Sequence, residues 1–231
     1  MLLRTFFVWI IGLPVTLVFF IVAILTLPLD RTGGYVHGMG SLWLRFILRL
    51  SGVGVTVRGL ENIPEGRPVI FLSNHQGAFD IPALQGNIPG RFKWVAKASL
   101  FSVPVLGWAM KLAGYIPIDR ESAGSAYKSI EAAAGEVKKG TSVLIFPEGT
   151  RSPTGELLPF KRGAFILASK SGVPIVPVAI SGTKDIMRKG SLLIRPANAV
   201  IAIGPPIQPS GLNESELRAQ TRMAIEALLR R

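Results

Sequence analysis

The sequence predicts a single α/β domain, a mixed β-sheet flanked by helices over residues 53–231, preceded by a membrane-associated two-helix segment over residues 1–52. Three observations carry this. From Val53 onward, short apolar runs alternate with helical periodicities, the pattern of strands and helices built on one sheet. Residues 6–29 contain no charge. The apolar run 68–72 leads into the polar stretch 74–80 and then Ile81-Pro82, which reads as a buried strand, a loop and a helix starting near Asp80.

Taken in order, residues 6–29 are long enough as a helix to cross a hydrocarbon core of about 30 Å. A secretory signal is disfavoured, because the run is too long and no small-residue cleavage site precedes Asp30. Pro14 allows a kink, so spanning and half-inserted states both stay open. In residues 34–52, Leu42, Trp43, Phe46, Ile47 and Leu50 fall at helical spacing, with Arg45 and Arg49 on the other side. That suits either an interfacial helix or one packed on the domain, and its His37 is expected to face the membrane.

Residues 53–57 alternate as a half-buried strand; 69–72 and 91–96 read as two more. Residues 101–113 read as an apolar helix broken near Pro104, 115–118 as a short strand, and 123–139 as an amphipathic helix ended by Gly140. A buried strand at 143–146 and a helix at 163–171 follow. Residues 174–180 read as a strand that two prolines force to a bulge or a sheet edge. Short strands are expected at 192–194 and 200–203. The last helix starts at Asn213, with Glu216 as its capping-box partner, and ends in Arg230-Arg231, favourable against the helix dipole.

Composition narrows the function. The 231 residues are 48% apolar and carry a formal charge of +12. Cysteine is absent, which excludes disulfides, thiolate nucleophiles and Cys-type zinc sites. The charge calls for an anionic partner, and the apolar N-terminus favours an anionic membrane surface over nucleic acid. No repeat, low-complexity tract or basic run of the nucleic-acid type is present.

Four clusters stand out, the first and third following predicted strands, the second ending one and the fourth forming one. In the first, Asn74-His75-Gln76-Gly77-Ala78-Phe79-Asp80, four residues separate a histidine from an aspartate that can meet it across the turn. The carboxylate would hold one ring nitrogen and leave the other free to take a hydroxyl proton. The bland alternative is a structural pair, with Asp80 only capping a helix. The chain has two histidines, His37 and His75, so a histidine base would be His75. The second cluster, Gly114-Tyr115-Ile116-Pro117-Ile118-Asp119-Arg120, ends in an arginine. The third, Phe146-Pro147-Glu148-Gly149-Thr150-Arg151-Ser152, offers a glycine for close backbone approach and an arginine suited to phosphate, or else is a solvated surface turn. The fourth, residues 173–180, is apolar and structural.

In this order the four clusters resemble the conserved blocks of the glycerolipid acyltransferase family, most closely the bacterial 1-acylglycerol-3-phosphate acyltransferases. Val95-Ala96-Lys97 also resembles a family segment with a phosphate-facing lysine. The likeness runs from about Gly54 to Thr183. Two departures stand out: Gly77 where serine is frequent, and Ser99 where an acidic residue is frequent.

The resemblance implies acyl transfer from a thioester, acyl-CoA or acyl-carrier protein, to the sn-2 hydroxyl of a membrane lipid acceptor with a phosphate headgroup. No metal or further cofactor is expected. His75 would act as general base, with Asp80 orienting it and stabilising the imidazolium. With no serine or cysteine nucleophile evident, attack is direct, and backbone N–H groups near Gly149 are expected to hold the oxyanion. Lys97, Arg120 and Arg151 are expected to converge on the phosphate, with Asn74 and Thr150 as further substrate contacts. Glu148 is expected to bind the glycerol or order the arginines. The implied location is a cell inner membrane, with the site on the cytoplasmic face. Three alternatives stay open: the same chemistry on another acceptor (a lysophospholipid, glycerol 3-phosphate or a lyso-ornithine lipid), a lipid ester hydrolase, and a non-catalytic lipid-binding protein.

Overall fold

The uncharged run as far as Leu25 and the four residues before it, Arg4 among them, form α1 (Leu2–Leu25) in the computed structural model, which describes residues 2–26, 28–30, 32–119, 122–187 and 191–230. At 1.5 Å per residue α1 is about 36 Å long, and it is long and apolar enough to cross a membrane. It does not stand away from the domain. Thr5, Val8, Gly12 and Ala23 form one buried stripe. The Trp9 indole N–H donates to the Leu192 carbonyl at 3.1 Å, and Thr16 Oγ1 accepts from the Trp43 indole at 3.1 Å. The rest of its surface is exposed leucine, isoleucine, valine and phenylalanine, which water would penalise. The chain is therefore membrane-associated through this helix.

The second helix, α2 (Gly34–Ser51), lies between α1 and α3 (Asp80–Asn87), burying Leu44 and Leu48. Packing on the domain is thus the stronger of its two expected roles. His37 corrects the expectation that it faces lipid. Its ring is 4% exposed, T-stacked on Phe92 at 4.9 Å, with Nδ1 3.1 Å from the Tyr115 hydroxyl. Burial lowers its pKa to about 4, so it stays neutral at physiological pH.

Seven strands follow: β1 (Gly54–Arg58), β2 (Ile70–Ser73), β3 (Phe92–Lys97), β4 (Ile116–Ile118), β5 (Ser142–Ile145), β6 (Ile175–Ser181) and β7 (Asn198–Ile203). They form one sheet in the order β1-β7-β6-β2-β5-β3-β4, parallel except where β6 meets β7. One face is covered by α3; the other by α5 (Ala123–Lys138), α6 (Gly163–Ser171) and α7 (Glu214–Leu229). A short helix, α4 (Leu106–Leu112), follows β3. The α7 capping box forms as expected: Asn213 accepts from the Ser215 and Glu216 N–H groups while Glu216 reaches back. The fold class is the predicted one.

Two local expectations change. Of the bulge or sheet edge expected of β6, only the edge is overturned, since β6 is an interior strand. Its Pro177 is accommodated by its partner. Ile175 pairs with Ile207 and Val178 with Ile203, so three steps on one strand face four on the other. Across that bulge only the Gly204 N–H needs a partner, and it donates to the Pro177 carbonyl at 2.9 Å. The expected strand at 192–194 is irregular. Ile194 gives its N–H to Thr5 Oγ1 at 3.0 Å, so α1 takes the hydrogen bond a sheet neighbour would have used.

Candidate active site

Because β2 is the central strand and β5 and β6 flank it in parallel, the loops after all three emerge together. The β2–α3 loop carries His75. His75 Nδ1 lies 2.6 Å from Asp80 Oδ2, and Asp80 is fully buried at the start of α3. The same carboxylate oxygen accepts the Gln76 N–H at 2.6 Å and the Gly77 N–H at 2.9 Å, while Oδ1 accepts from the Thr183 hydroxyl. Charge-assisted bonds of this kind offset the cost of a buried carboxylate. The imidazole stacks flat on Phe146, with centroids 3.9 Å apart and planes 7° apart. Nε2 has no partner among the described residues, and the ring lines a cleft of about 570 Å³. A pinned ring with one free nitrogen is the arrangement a general base needs.

The β5–α6 loop locks to the His75 loop. The Ser152 N–H donates to the His75 carbonyl at 2.8 Å, and the His75 N–H donates to Glu148 Oε1 at 2.8 Å. Glu148 Oε2 accepts the Leu158 N–H at 2.9 Å. Glu148 is 2% exposed and does not reach the cleft. This corrects its expected role: it straps two loops together rather than binding glycerol or ordering arginines. Burial raises its pKa above the usual carboxylate range. A raised folded pKa favours the protonated form in the folded state. The stability it contributes is present at acid pH and lost as pH rises through that folded value. The stability of wild type minus that of Glu148→Gln should therefore fall as pH rises from the ordinary carboxylate range through the raised folded value. A difference that does not change with pH, in denaturant unfolding at several pH values, would overturn this.

Asn74 is corrected in the same way. It is 1% exposed, and it donates to the Ile180 carbonyl at 2.9 Å while accepting the Ile180 N–H at 2.8 Å. Its amide thus extends the β2–β6 ladder past the end of β2 and fixes the base of the His75 loop.

Gly149 has φ 71°, a left-handed conformation that favours glycine, and it lets the loop turn beside the histidine. Its N–H donates to the Phe146 carbonyl at 3.0 Å, so it is already committed to that turn. The N–H groups of the next two residues, Thr150 and Arg151, are without a partner among the described residues, and both residues line the cleft. Lys97, at the end of β3, lines it too. The Lys97 and Arg151 side chains are exposed and pair with no carboxylate among the described residues. Arg120, the third expected cation, lies outside the described residues.

The cleft therefore has a polar end at the strand tips and a long apolar wall from α2 and α4, including Trp43, Leu44, Leu106 and Met110. Two residues the sequence did not flag shape the site: Phe146, beneath the imidazole, and Thr183, behind Asp80. The departure at Gly77 is linked to Thr183, since a Cβ there would sit 2.7 Å from the Thr183 carbonyl oxygen. The missing side chain is what admits the β6 loop so close to the aspartate.

Residues 54–181 match the Acyltransferase family model. A 1-acyl-sn-glycerol-3-phosphate acyltransferase of Brassica napus is 44% identical over 136 residues, 58% of this chain and 39% of the relative. The chain thus spans well under half of that relative's length. One from Chlamydomonas reinhardtii is 33% identical over 97% of this chain and 68% of its own. The crystal structure of the 1-acyl-sn-glycerophosphate acyltransferase of Thermotoga maritima superposes with a TM-score of 0.72 at 29% identity, covering 94% of each chain.

Proposed function

The chain belongs to the acyltransferase family, and from that membership we propose that it transfers a fatty acyl group from an acyl thioester to the sn-2 hydroxyl of 1-acylglycerol 3-phosphate, giving phosphatidic acid. The observation that carries this is the His75–Asp80 pair at the polar end of an apolar cleft, with Lys97 and Arg151 at the same end. His75 Nε2 takes the proton from the acceptor hydroxyl as its oxygen attacks the thioester carbonyl. The buried Asp80 carboxylate stabilises the imidazolium that forms. The N–H groups of Thr150 and Arg151 receive the oxyanion in place of Gly149. Collapse of the tetrahedral adduct expels the thiolate, which recovers the proton as thiol. Lys97 and Arg151 hold the acceptor phosphate, Arg120 is proposed to join them, and the apolar wall takes acyl chain. The donor is acyl-CoA or acyl-carrier protein, and the site works at the cytoplasmic face of an inner membrane.

Purified full-length protein offered a panel of lyso-acceptors with both donors, read by lipid mass spectrometry, tests the reading. Phosphatidic acid should be the main product. Acylation confined to a phosphate-free acceptor, or release of free fatty acid alone, would overturn it.

Arg151 supplies a finer test. Arg151→Ala should lower kcat/KM for the phosphate-bearing acceptor by about tenfold or more, while the donor KM moves far less. Arg151→Lys should rescue only in part, because a point charge cannot reproduce the bidentate fork. Equal losses with a phosphate-free acceptor would show that Arg151 does not contact the phosphate.

A further inference from the structure

Residues 98–110 contain no charged side chain and lie between Lys97 and Lys111. They fold into a tight protrusion: a 3-10 turn (Ala98–Ser102), a reversal at Pro104-Val105, then α4. Leu100, Val103, Val105, Leu106 and Trp108 are each 40–54% exposed there. A cluster of large apolar side chains held open on one protrusion marks an interaction surface.

Two backbone features keep it pointing outward. Val105 is the non-glycine residue with positive φ, at 63°, among the described residues, an unfavourable conformation for a β-branched side chain. The Leu106 N–H closes that reversal onto the Pro104 carbonyl at 2.7 Å, a three-residue turn. Gly107 packs so near Phe101 that a Cβ would lie 2.3 Å from its carbonyl oxygen. A fold that holds a strained turn to expose two valines and a leucine is spending stability on that exposure.

What covers this surface follows from its neighbour. Trp108 stacks on Phe20 of α1, with centroids 6.4 Å apart, so the apolar surface of α1 meets the protrusion at this pair. Lipid that covers α1 at Phe20 also meets Trp108, and Val103 and Val105 are exposed on the same protrusion. Leu106 also lines the catalytic cleft, as does Trp43 of α2. Lys111, exposed at the end of α4, matches anionic headgroups. We propose that residues 98–110 insert into an anionic phospholipid leaflet beside α1, as the outer jamb of a lateral opening between α2 and α4 through which the lipid acceptor enters. The insertion stands on this geometry alone; the entry role rests on the acyltransferase reading above.

The lack of cysteine makes the test direct. Full-length Val103→Cys is labelled with an environment-sensitive nitrobenzoxadiazole probe and mixed with phosphatidylcholine–phosphatidylglycerol vesicles. Lys139→Cys, on the exposed end of α5, is the control. Emission at position 103 should shift to the blue and be quenched by lipids carrying a nitroxide on the acyl chain, and emission at 139 should do neither. A water-like spectrum at 103 in vesicle-bound protein overturns the insertion. So does a blue shift without vesicles that grows with protein concentration, which would mean a second copy covers the face.

For the entry role, Val103→Asp with Val105→Asp should raise the KM for a long-chain acceptor in vesicles by about tenfold. The KM for a short-chain, monomeric acceptor should stay unchanged. Equal effects on both acceptors, or on neither, overturn the entry role. Absence of transfer to any acceptor would count against the proposed function, while the fluorescence result still decides insertion.

Discussion

His75→Ala is expected to lower kcat by about 10²–10⁴-fold with little change in stability, the range lost when a positioned general base is removed. An alcohol is a weak nucleophile until its proton leaves, so most of the barrier falls on the group that accepts it. His75 is placed for this by three contacts that need no substrate: Asp80 on Nδ1, Phe146 under the ring, and Glu148 on the backbone N–H. His37 cannot substitute, because it is buried against Phe92 and Tyr115. The side chain is 15% exposed and lines the cleft outside the sheet core, so truncating it leaves Asp80 with its two backbone donors. Residual turnover within a few-fold of wild type in folded, vesicle-bound protein would sink the assignment.

Much of this was legible in the sequence, and what was missed shares one cause. Strand–loop–helix around residues 70–87, the apolar first helix and the Asn213 capping box were all readable, because each is set by neighbours close in sequence. The dyad was readable for the same reason, with four residues between its members. Asn74 and Glu148 were misread because a polar residue beside a catalytic one can face substrate or backbone, and sequence does not say which. Here both turn inward: Asn74 satisfies the N–H and C=O of Ile180 in β6, and Glu148 the N–H groups of His75 and Leu158 in the loops after β2 and β5. Thr183 was invisible, lying 103 residues from Asp80. One signal existed: it closes the strand-end turn after β6, and strands next to β2 deliver their ends to the same place. Pro177 suggested a bulge or an edge, and the bulge that tolerates it lies in the partner segment, not in its own strand.

Asp80→Asn is the second large effect expected, a loss in kcat of about 10²–10⁴-fold with a small change in acceptor KM. Three donors converge on Oδ2: His75 Nδ1, and the Gln76 and Gly77 N–H groups. An asparagine must keep its oxygen there, since an NH2 would face three N–H groups. Its NH2 then points at Thr183 Oγ1, which can rotate to accept. The loop geometry therefore survives, and what disappears is the negative charge that stabilises the imidazolium at the moment of proton transfer. Asp80→Ala is less informative, because it strands buried N–H groups at about 1–3 kcal/mol each and confounds catalysis with folding. Thr183 separates orientation from charge. Thr183→Val removes the donor to Oδ1 yet keeps the carboxylate charged, so its loss in kcat should be nearer tenfold, and Thr183→Ser should restore it. Near wild-type kcat in Asp80→Asn would remove the carboxylate from the mechanism. A serine at 183 no better than valine would show that the threonine matters for packing, not for its hydroxyl.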